Sequence, residues 1–581
     1  MDRKWSLKEL YQSFNDQSFL DDIKAVKTIL EDMKKYPLMD KTEENLKDYL
    51  IKENELNDLV EKLSAYIELT ISANTTCQEA LKYSASLETL LATFADTQAK
   101  IQKWLGAFDL TNVKDAYIQE HLFILKEIQQ NNQYLLDEQS ESVLAQMKTN
   151  GSSAWLKYKD QLISSLKVTI DGTAYPLTEV LNMAYSKDQE TRKKAYLAEV
   201  NAYYDVEQGI ASALNAIKGE ALTVTQLRGY SSVLQRTLID SRMSQKTLDV
   251  LLLTMQKALG MFEKYFQLKA KRLGYDNGLP WYELYAPVVE SQTSYPYEVG
   301  CEFVVKQFST FSQHLGDYAK KAMENSWIDV DPRAGKVGGA FCHNLHCLKE
   351  SRFLLNYGNE FGDVITMAHE LGHGFHGECL NSQTALNADY PMPIAETAST
   401  FCETIVKKAA LKNASPTEKL MILENELCDC AQVIVDIYSR FLFESRFFKK
   451  REEGPLSVEE IKQLMLEAQK EAYGKGLDPQ YLHPYMWTWK PHYYEADYAF
   501  YNFPYAFGLL LAKGLYGLYQ KEGAAFSKTY ENFLSLTGKM SIEEVGQSVG
   551  IDLTSADFWQ NSIDMIQEDI DLFEQLLNEV G

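Results

Sequence analysis

Apolar residues recur at helical spacing along much of this chain, and this pattern restricts the possible folds more than any other feature. One such series near the amino terminus consists of Phe19, Ile23, Val26, Leu30 and Met33. The same spacing returns at residues 87–105 and at residues 559–577. Because side chains three or four positions apart share one face of an α-helix, each series predicts a helix packed against a core. The chain is therefore predicted to be mainly α.

Strand signals are few. Residues 168–170 and 173–175 flank Asp171-Gly172, which predicts a short hairpin with a two-residue turn. Residues 352–357 form a second short apolar run of strand length. Because 581 residues exceed what one compact core usually holds, we expect two helical lobes separated by a cleft.

His369, Glu370 and His373 form a His-Glu-x-x-His motif on one of the predicted helices. Two histidines four residues apart lie on one helical face, so both imidazoles can bind one metal ion, and the pattern favours zinc. Glu370 lies beside them, where its carboxylate can take a proton from a water molecule on the ion. Seven of the nine histidines fall within residues 343–492, which supports the same interpretation. The motif predicts metal-assisted hydrolysis.

A third metal ligand is expected on a second helix, which Pro393 begins. Glu396 lies in its first turn, and Ala395, Ala398 and Ser399 are small enough for this helix to approach the glycines of the first. Glu396 would then complete a site with two histidines and one carboxylate. The alternative for Glu396 is an acid that the helix dipole favours near a helix amino terminus.

Two further residues near the motif are expected to support the ligands. Glu403 lies seven residues after Glu396 and faces the same way, so it can accept the free N–H of a ligating imidazole and fix its tautomer. A surface carboxylate is the alternative. His376 returns to the ligand face beyond His373 and is predicted to support the ligands or face the substrate, not to bind the metal.

Charge and composition exclude several classes of partner. Against 58 Lys and Arg stand 82 Asp and Glu, and the net charge of -24 repels a phosphate backbone, so no nucleic acid is expected. The most apolar late stretch, residues 503–519, is interrupted by Lys513 and three glycines, so no membrane role is expected. Eight cysteines without paired spacing are typical of reduced thiols, which favours the cytoplasm. The oligomeric state is not indicated.

Two segments together resemble the metal signature of a known family. Residues 367–373 read Met-Ala-His-Glu-Leu-Gly-His, and residues 392–401 carry Glu396. They resemble the thimet-oligopeptidase-like zinc metallopeptidases, most closely the oligoendopeptidase F branch. Further similarity lies at residues 268–274, 279–287 and 557–559.

The resemblance implies a mainly α fold, with two helical lobes around a deep substrate cleft and a small β-sheet beside the zinc helix. It also implies one zinc ion per chain, bound by His369, His373 and Glu396. The similarity covers most of residues 185–581. We therefore divide the chain into an amino-terminal helical region, residues 1–185, and a metallopeptidase catalytic region, residues 186–581.

Residues 487–508 form a second notable segment, which is dense in aromatic side chains. Family members that this segment resembles use a histidine and tyrosines here as donors to the transition state. The correspondence points to His492 and Tyr505, whereas Tyr498 and Tyr501 remain alternatives for a further donor. The structural alternative is an aromatic core cluster whose hydroxyls bind the backbone.

The short strand before the motif is expected to bind substrate. An extended peptide can add to a strand edge through main-chain hydrogen bonds, which tolerates many side chains. With its neighbouring segment, this strand predicts substrate contacts at Gly339, Ala340, Phe341 and Leu355. The resemblance supports this placement.

Together these expectations describe a zinc-dependent endopeptidase that hydrolyses internal bonds of short peptides, with Glu370 as general base. Removal of C-terminal dipeptides and metal-assisted hydrolysis of a non-peptide bond are alternatives. A helical binding or scaffold protein is the least favoured, because it gives no reason for His369, Glu370, His373 and Glu396 to occur together.

Overall fold

The structure, a computed structural model, describes residues 2–289 and 293–580. Helices contain 72% of the residues and strands 4%, so the prediction of a mainly α chain is confirmed. Across the described ranges, no helix is both long enough and apolar enough to cross a membrane. All eight cysteines lie in these ranges, and no disulfide joins any two of them.

The first thirteen α-helices follow one another closely along the chain. They are α1 (Gln17–Met33), α2 (Glu43–Ala73), α3 (Gln78–Ala92), α4 (Ala95–Gly106), α5 (Ala116–Glu120), α6 (Leu122–Asn132), α7 (Glu138–Asn150), α8 (Ser152–Ser165), α9 (Leu177–Asn182), α10 (Gln189–Ala202), α11 (Glu207–Arg228), α12 (Val233–Asp240) and α13 (Gln245–Leu273). Side chains cap several of them, as where Ser244 accepts a hydrogen bond from the Thr247 N–H at the start of α13.

The later helices and the strands complete the fold. The helices are α14 (Tyr297–Phe311), α15 (Gln313–Glu324), α16 (Phe361–Leu380), α17 (Met392–Asn413), α18 (Pro416–Ala431), α19 (Ile437–Arg451), α20 (Val458–Tyr473), α21 (Phe503–Glu522), α22 (Phe526–Leu536), α23 (Ile542–Ser548) and α24 (Ala556–Val580). The strands are β1 (Lys167–Ile170), β2 (Thr173–Pro176), β3 (Ile328–Asp329), β4 (Phe341–Leu345) and β5 (Glu350–Leu354).

The chain forms two compact units, and each is assembled from separate segments. Unit 1 contains Met1–Tyr134, Thr293–Ala409 and Leu515–Ile551; unit 2 contains Leu135–Gln292, Ala410–Gly514 and Asp552–Gly581. Neither unit has a boundary near residue 185. The division into residues 1–185 and 186–581 therefore does not describe the compact units, and as a division of function it stays a prediction.

Unit 1 contains a three-stranded sheet that packs against α16. The strand order is β3-β5-β4, with β3 parallel and β4 antiparallel to β5. The sequence predicts a strand at residues 352–357, and a strand is present there, but its bounds differ: β5 spans Glu350–Leu354. The amino-terminal helices supply the main apolar core of this unit, which includes Phe19, Leu63 and Trp104.

Unit 2 contains the predicted hairpin. Strands β1 and β2 pair antiparallel, and Asp171 and Gly172 form the turn that connects them. The φ angles of these two residues are 49° and 81°. Both central residues of a type I′ turn require positive φ, and Asp-Gly tolerates that conformation better than most pairs. A core that includes Tyr203, Trp487 and Tyr493 lies in this unit.

Candidate metal centre

Helix α16 presents two imidazoles side by side. A capping box fixes its start: Glu360 accepts from the backbone of Asp363, and the Asp363 side chain accepts from the Glu360 N–H. From this start the helical register places His369 and His373 one turn apart. Their Nε2 atoms lie 3.1 Å from each other. The motif therefore brings two nitrogen ligands to one point, as its spacing predicts.

Helix α17 brings a carboxylate to the same point. Glu396 Oε2 lies 3.3 Å from His369 Nε2 and 3.5 Å from His373 Nε2. The Ser399 hydroxyl lies 3.0 Å from the same oxygen and donates a hydrogen bond to it, which fixes the orientation of the carboxylate. Within the described residues, these three side chains form the group of metal-ligating atoms that lie close enough to hold one ion.

A glycine in the motif allows α16 and α17 to approach. A Cβ atom at Gly372 would lie 2.6 Å from the Ala398 carbonyl oxygen and 2.7 Å from Ser399 Cα. Both distances are shorter than normal carbon contacts, and the atoms belong to a backbone that cannot rotate away. Any side chain at position 372 would separate the helices and move Glu396 away from the histidines.

The spacing of the three ligand atoms fits zinc. A tetrahedral ion with bonds of 2.0–2.1 Å to nitrogen and oxygen separates its ligand atoms by about 3.3 Å. The observed separations of 3.1, 3.3 and 3.5 Å bracket that value. Two imidazoles and one carboxylate also form the ligand set of a catalytic zinc site, which leaves a fourth position open. His369, His373 and Glu396 are therefore the residues that would hold the metal.

Glu403 orients the first of these imidazoles. Its Oε1 lies 2.5 Å from His369 Nδ1, and its Oε2 accepts a hydrogen bond of 2.8 Å from Lys407. A carboxylate only accepts, so Nδ1 of His369 carries a proton toward Glu403, and Nε2 is the nitrogen that a metal ion would bind in place of a proton. A carboxylate in this position raises the basicity of a metal-ligating imidazole.

The local charges favour a cation at this point. Burial opposes protonation of His369, but the hydrogen bonds to Glu396 and Glu403 outweigh burial and raise its pKa to about 10. Burial likewise opposes ionisation of Glu396, yet the neighbouring His369 and His373 lower its pKa to about 2. The two carboxylates thus stabilise positive charge where the imidazoles meet, and a metal dication would take the place of the proton.

Glu370 is set apart from the ligands by its burial. Only 7% of the residue is exposed. Burial raises the pKa of its carboxyl to about 7, although the positive charge of His369 and the backbone of Cys342 oppose the shift. A carboxyl group with a pKa near neutrality can both accept and return a proton, which is what a general base requires.

His376 lies on the same helix but contacts other groups. Its Nε2 lies 2.8 Å from the Thr537 hydroxyl, and its ring stacks on Tyr390 with a centroid separation of 4.0 Å. Complete burial is the main reason that its pKa falls to about 3, so the ring is neutral. These contacts describe a packed core histidine, and they do not support the predicted role beside the ligands or the substrate.

The strand edge beside α16 differs in part from the prediction. Leu355 follows the central strand β5, its N–H donates to the Asp329 carbonyl at 2.8 Å, and its own carbonyl accepts from Lys336 at 2.5 Å. Because both backbone groups have partners and the residue is 2% exposed, Leu355 has no edge to offer, and that part of the prediction is wrong.

The edge belongs to β4, and residues that the sequence reasoning missed define it. Phe353 of β5 donates to the Trp327 carbonyl, so the backbone groups of its β4 partner Cys342 point away from β5. Those of Asn344 point the same way. Phe341 instead faces Leu354 within the sheet, and its side chain packs on Trp5. Period-two counting along β4 is the signal that would have found Cys342 and Asn344.

Gly339 and Ala340 lie just before β4, in the turn that leads into it. Gly339 has a φ of 78° and is exposed, and its carbonyl accepts a 2.8 Å hydrogen bond from the Asn356 side chain. Ala340 is half-buried. Both residues therefore lie at the start of the predicted edge, and their role toward a substrate stays a prediction.

The second predicted group lies in unit 2 and forms a cluster of rings. His492 stacks on Tyr501 with centroids 4.7 Å apart and an interplanar angle of 14°, and Tyr505 lies 6.3 Å from His492. Tyr498 packs edge-on against Tyr501 at 5.4 Å. Burial, then the positive charges of Arg440 and Lys490, lower the pKa of His492 to about 4. His492 is consequently a neutral ring near pH 7.

Helices α16 and α17 bring together two imidazoles, one carboxylate and one buried acid. This arrangement is typical of metallohydrolases. The chain belongs to peptidase family M3, whose family model matches residues 182–565, and an Oligopeptidase F model matches residues 97–167. It is accordingly a peptidase.

Named relatives cover almost the whole chain. Oligopeptidase PepF of Bacillus subtilis is 23% identical over 99% of this chain and 87% of its own length. An oligoendopeptidase F homolog of Lactococcus lactis subsp. lactis is 24% identical over 99% of this chain and 97% of its own length. The solved oligoendopeptidase-F structure from Enterococcus faecium shares the fold, with a TM-score of 0.67 at 18% identity over 97% of this chain and 99% of its own.

Proposed function

We propose that this peptidase is a zinc-dependent endopeptidase that cleaves internal bonds of short peptides. The observation that carries the proposal is the meeting of His369 Nε2, His373 Nε2 and Glu396 Oε2 at separations suited to one tetrahedral ion. The names of the relatives, which include oligoendopeptidase F, favour internal cleavage over removal of terminal residues.

The proposed chemistry assigns one role to each group. When bound, zinc would polarise the scissile carbonyl and make a water molecule more acidic. Glu370 takes the proton from the attacking water and later returns it to the leaving amine. Glu403, held by Lys407, keeps the proton of His369 on Nδ1 throughout.

Two further assignments belong to the proposal. His492 and Tyr505, with either Tyr498 or Tyr501, are proposed to donate hydrogen bonds to the developing oxyanion, as the family resemblance implies. One such donor typically contributes about 10²–10³ in kcat. Main-chain pairing at the outer edge of β4, through Cys342 and Asn344, is proposed to hold the peptide in extended form.

Metal content and peptide hydrolysis, measured side by side, test the proposal. The parent protein, Glu370→Gln and the matched control Glu378→Gln are compared with a quenched fluorescent peptide. Glu378 is a suitable control because it lies on the same helix and contacts His314, not the ligands. We expect about one zinc per chain in all three proteins. We expect a kcat loss of about 10²–10⁴ in Glu370→Gln alone.

The outcomes separate the parts of the proposal. Equal turnover by the parent and Glu370→Gln would reject the general base. A pure, active protein without metal would reject zinc. Products that are always C-terminal dipeptides would replace internal cleavage by dipeptide removal, and stoichiometric zinc without any peptide hydrolysis would leave a metallohydrolase of another bond.

A further inference from the structure

Unit 2 contains a large cavity to which no role has yet been given. Its volume is about 540 Å³, which lies within the usual range for small-molecule sites. Thr178, Asn182 and Tyr185 are exposed and form its mouth, whereas Tyr265 and Phe266 are almost fully buried and form its floor. All lining residues belong to unit 2, so the cavity is complete within that unit.

The walls of the cavity are mainly aromatic. Besides the floor and mouth residues, they include Trp281, Tyr282, Tyr285, Tyr473 and Trp489. Tyr185 and Tyr285 lie with ring centroids 4.8 Å apart. Aromatic surfaces of this kind bind apolar or aromatic groups through contact area and ring edges. The body of a suitable ligand is therefore apolar.

Most charged groups in the walls already have partners. Arg192 binds Glu283 at 2.5 Å, and Glu199 Oε1 lies 3.2 Å from His483 Nε2. Asp436 binds the Arg440 guanidinium at 2.5 Å. These pairs neutralise their own charges and leave little attraction for a ligand ion.

Lys490 is the exception among the charged wall residues. Among the residues that the structure describes, its ammonium group has no ion pair or hydrogen bond, and it lies 4.2 Å from the Trp489 ring centroid. Burial, with the charge of Arg440, lowers its pKa to about 8, which leaves the ammonium form predominant at pH 7. Lys490 is half-buried, and an ammonium ion partly removed from water without an anionic partner keeps part of its desolvation cost uncompensated.

Two more donors in the walls are unpaired. Over the described part of the chain, the Tyr265 hydroxyl and the Trp489 indole N–H have no hydrogen-bond partner, although both atoms are buried. Tyr265 itself is 1% exposed. Buried polar atoms normally have a partner, so unpaired ones indicate a missing ligand or water. Lys490 and the Trp489 indole can only donate, and the Tyr265 hydroxyl can donate as well, so one acceptor group would suit all three.

We propose that this cavity binds a carboxylate with an apolar or aromatic body. The carboxylate oxygens accept from Lys490, Tyr265 and Trp489, and the aromatic walls cover the body. Both the C-terminal end of a peptide and a free carboxylic acid have this chemistry. The proposal concerns binding alone, so it does not depend on the proposed peptidase mechanism.

Calorimetric titration of the full chain with 3-phenylpropanoate, and with its uncharged amide as a matched ligand, tests the proposal. We expect the acid to bind at least about tenfold more tightly than the amide, because a charged hydrogen bond is lost in the amide. Lys490→Met is expected to remove this preference. Lys462→Met is the matched control, because Lys462 also lies over an aromatic ring, that of Tyr485, but outside the cavity.

A second variant keeps the test valid if Lys490→Met fails to fold. Tyr265→Phe removes an unpaired buried hydroxyl and so should not destabilise the fold, yet it should weaken binding of the acid by about threefold to tenfold. Tyr530→Phe is its control, since the Tyr530 hydroxyl is also buried and unpaired but lies in unit 1. It should leave binding unchanged.

Titration with N-acetyl-glycyl-phenylalanine in the Glu370→Gln background distinguishes the two sources. If the binding that Lys490→Met weakens is tighter for this peptide than for 3-phenylpropanoate, the occupant is a peptide C-terminus; the reverse order identifies a free acid, and either supports the proposal. Equal affinity for acid and amide, equal effects of Lys490→Met and Lys462→Met, or no saturable binding up to about 10 mM would overturn it.

Discussion

The ligand cluster of unit 1 and the ring cluster of unit 2 are built in opposite ways. In unit 1 charged groups meet on two regular helices, and carboxylates raise the pKa of His369 to about 10. In unit 2 neutral rings stack around a turn, and burial with nearby cations lowers the pKa of His492 to about 4. One histidine environment is prepared for a cation, whereas the other keeps its imidazole neutral.

The two clusters also differ in how the backbone holds them. Helix register and the contact at Gly372 position the ligands of unit 1. In unit 2, His492 lies on the short turn Pro491–Tyr494, and Tyr498 and Tyr501 lie on a segment where Phe500 adopts a φ of 57°. Tyr505 follows in the first turn of α21. The conformation of Phe500 costs a non-glycine residue about 1–2 kcal/mol, so packing must hold it. The first site therefore depends on close helix packing, and the second depends on a constrained loop.

Tyr505→Phe should produce the largest effect on catalysis. It should act on the ring cluster of unit 2 alone and leave metal binding in unit 1 unchanged. Loss of a transition-state donor should lower kcat by about 10²–10³, while zinc content stays at the parent value. Steady-state kinetics and metal analysis check both parts. Tyr519→Phe, on the same helix, should retain parent activity, since its hydroxyl bonds to the Thr310 carbonyl. A loss of zinc in Tyr505→Phe would contradict the separation.

Glu403→Gln should have the next largest effect, which is a loss of metal affinity. An amide holds the Nδ1–H of His369 less strongly than a carboxylate, so zinc affinity should fall by about 10–100-fold. Competition with a chelator measures the change. The exposed acid Glu302 provides the control Glu302→Gln. Unchanged affinity in Glu403→Gln would show that His369 needs no such partner.

Gly372→Ala tests the helix contact on which the first cluster depends. The added methyl should cost about 1–3 kcal/mol in the free energy of unfolding and lower zinc content, because the helices must move apart. Gly362→Ala, at the start of the same helix with open space around it, should be neutral or slightly stabilising. Chemical denaturation and metal analysis compare the pair, and equal behaviour of the two variants would contradict the close approach.

The smallest expected effect is on the pH dependence of stability. Two histidines, one in each unit, should contribute to it with opposite signs. In unit 1 the facing carboxylates of Glu378 and Glu531 raise the pKa of His314 to about 9, so its contribution to stability is present below pH 6.5 and lost as pH rises toward 9. In unit 2 His492 has a lowered pKa, so its contribution is present above pH 6.5 and lost as pH falls toward 4.

Thermal melts of His314→Gln and His492→Gln against the parent, at several pH values, check these signs. Both side chains are partly solvated, so each effect should stay below about 1 kcal/mol. Parallel pH dependence in the two variants would contradict the contrast.

Local patterns were sufficient for part of the candidate site. The i, i+4 spacing placed His369 and His373 on one face, and the small residues around Glu396 indicated which helix would approach. The Asp171-Gly172 turn could also be predicted, because few residue pairs tolerate the positive φ that both positions adopt.

Other features could not be read from one segment. Leu355 looked like part of an edge, but only the pairing of β5 with both neighbours shows that its backbone is already used. His376 shares the ligand helix, yet Thr537 and Tyr390 determine its environment. Lys407 carries no signal in the sequence, since its importance depends on where Glu403 points.

By itself the sequence determined the helical architecture, the motif and the three side chains proposed to hold a metal ion, because these depend on the period of a helix and on chemical type. Tertiary structure decided which strand is an edge, which histidine is packed away and which lysine in the cavity wall of unit 2 has no anionic partner among the described residues. Those properties depend on contacts between residues far apart in the chain, and such contacts leave no periodic trace in the sequence.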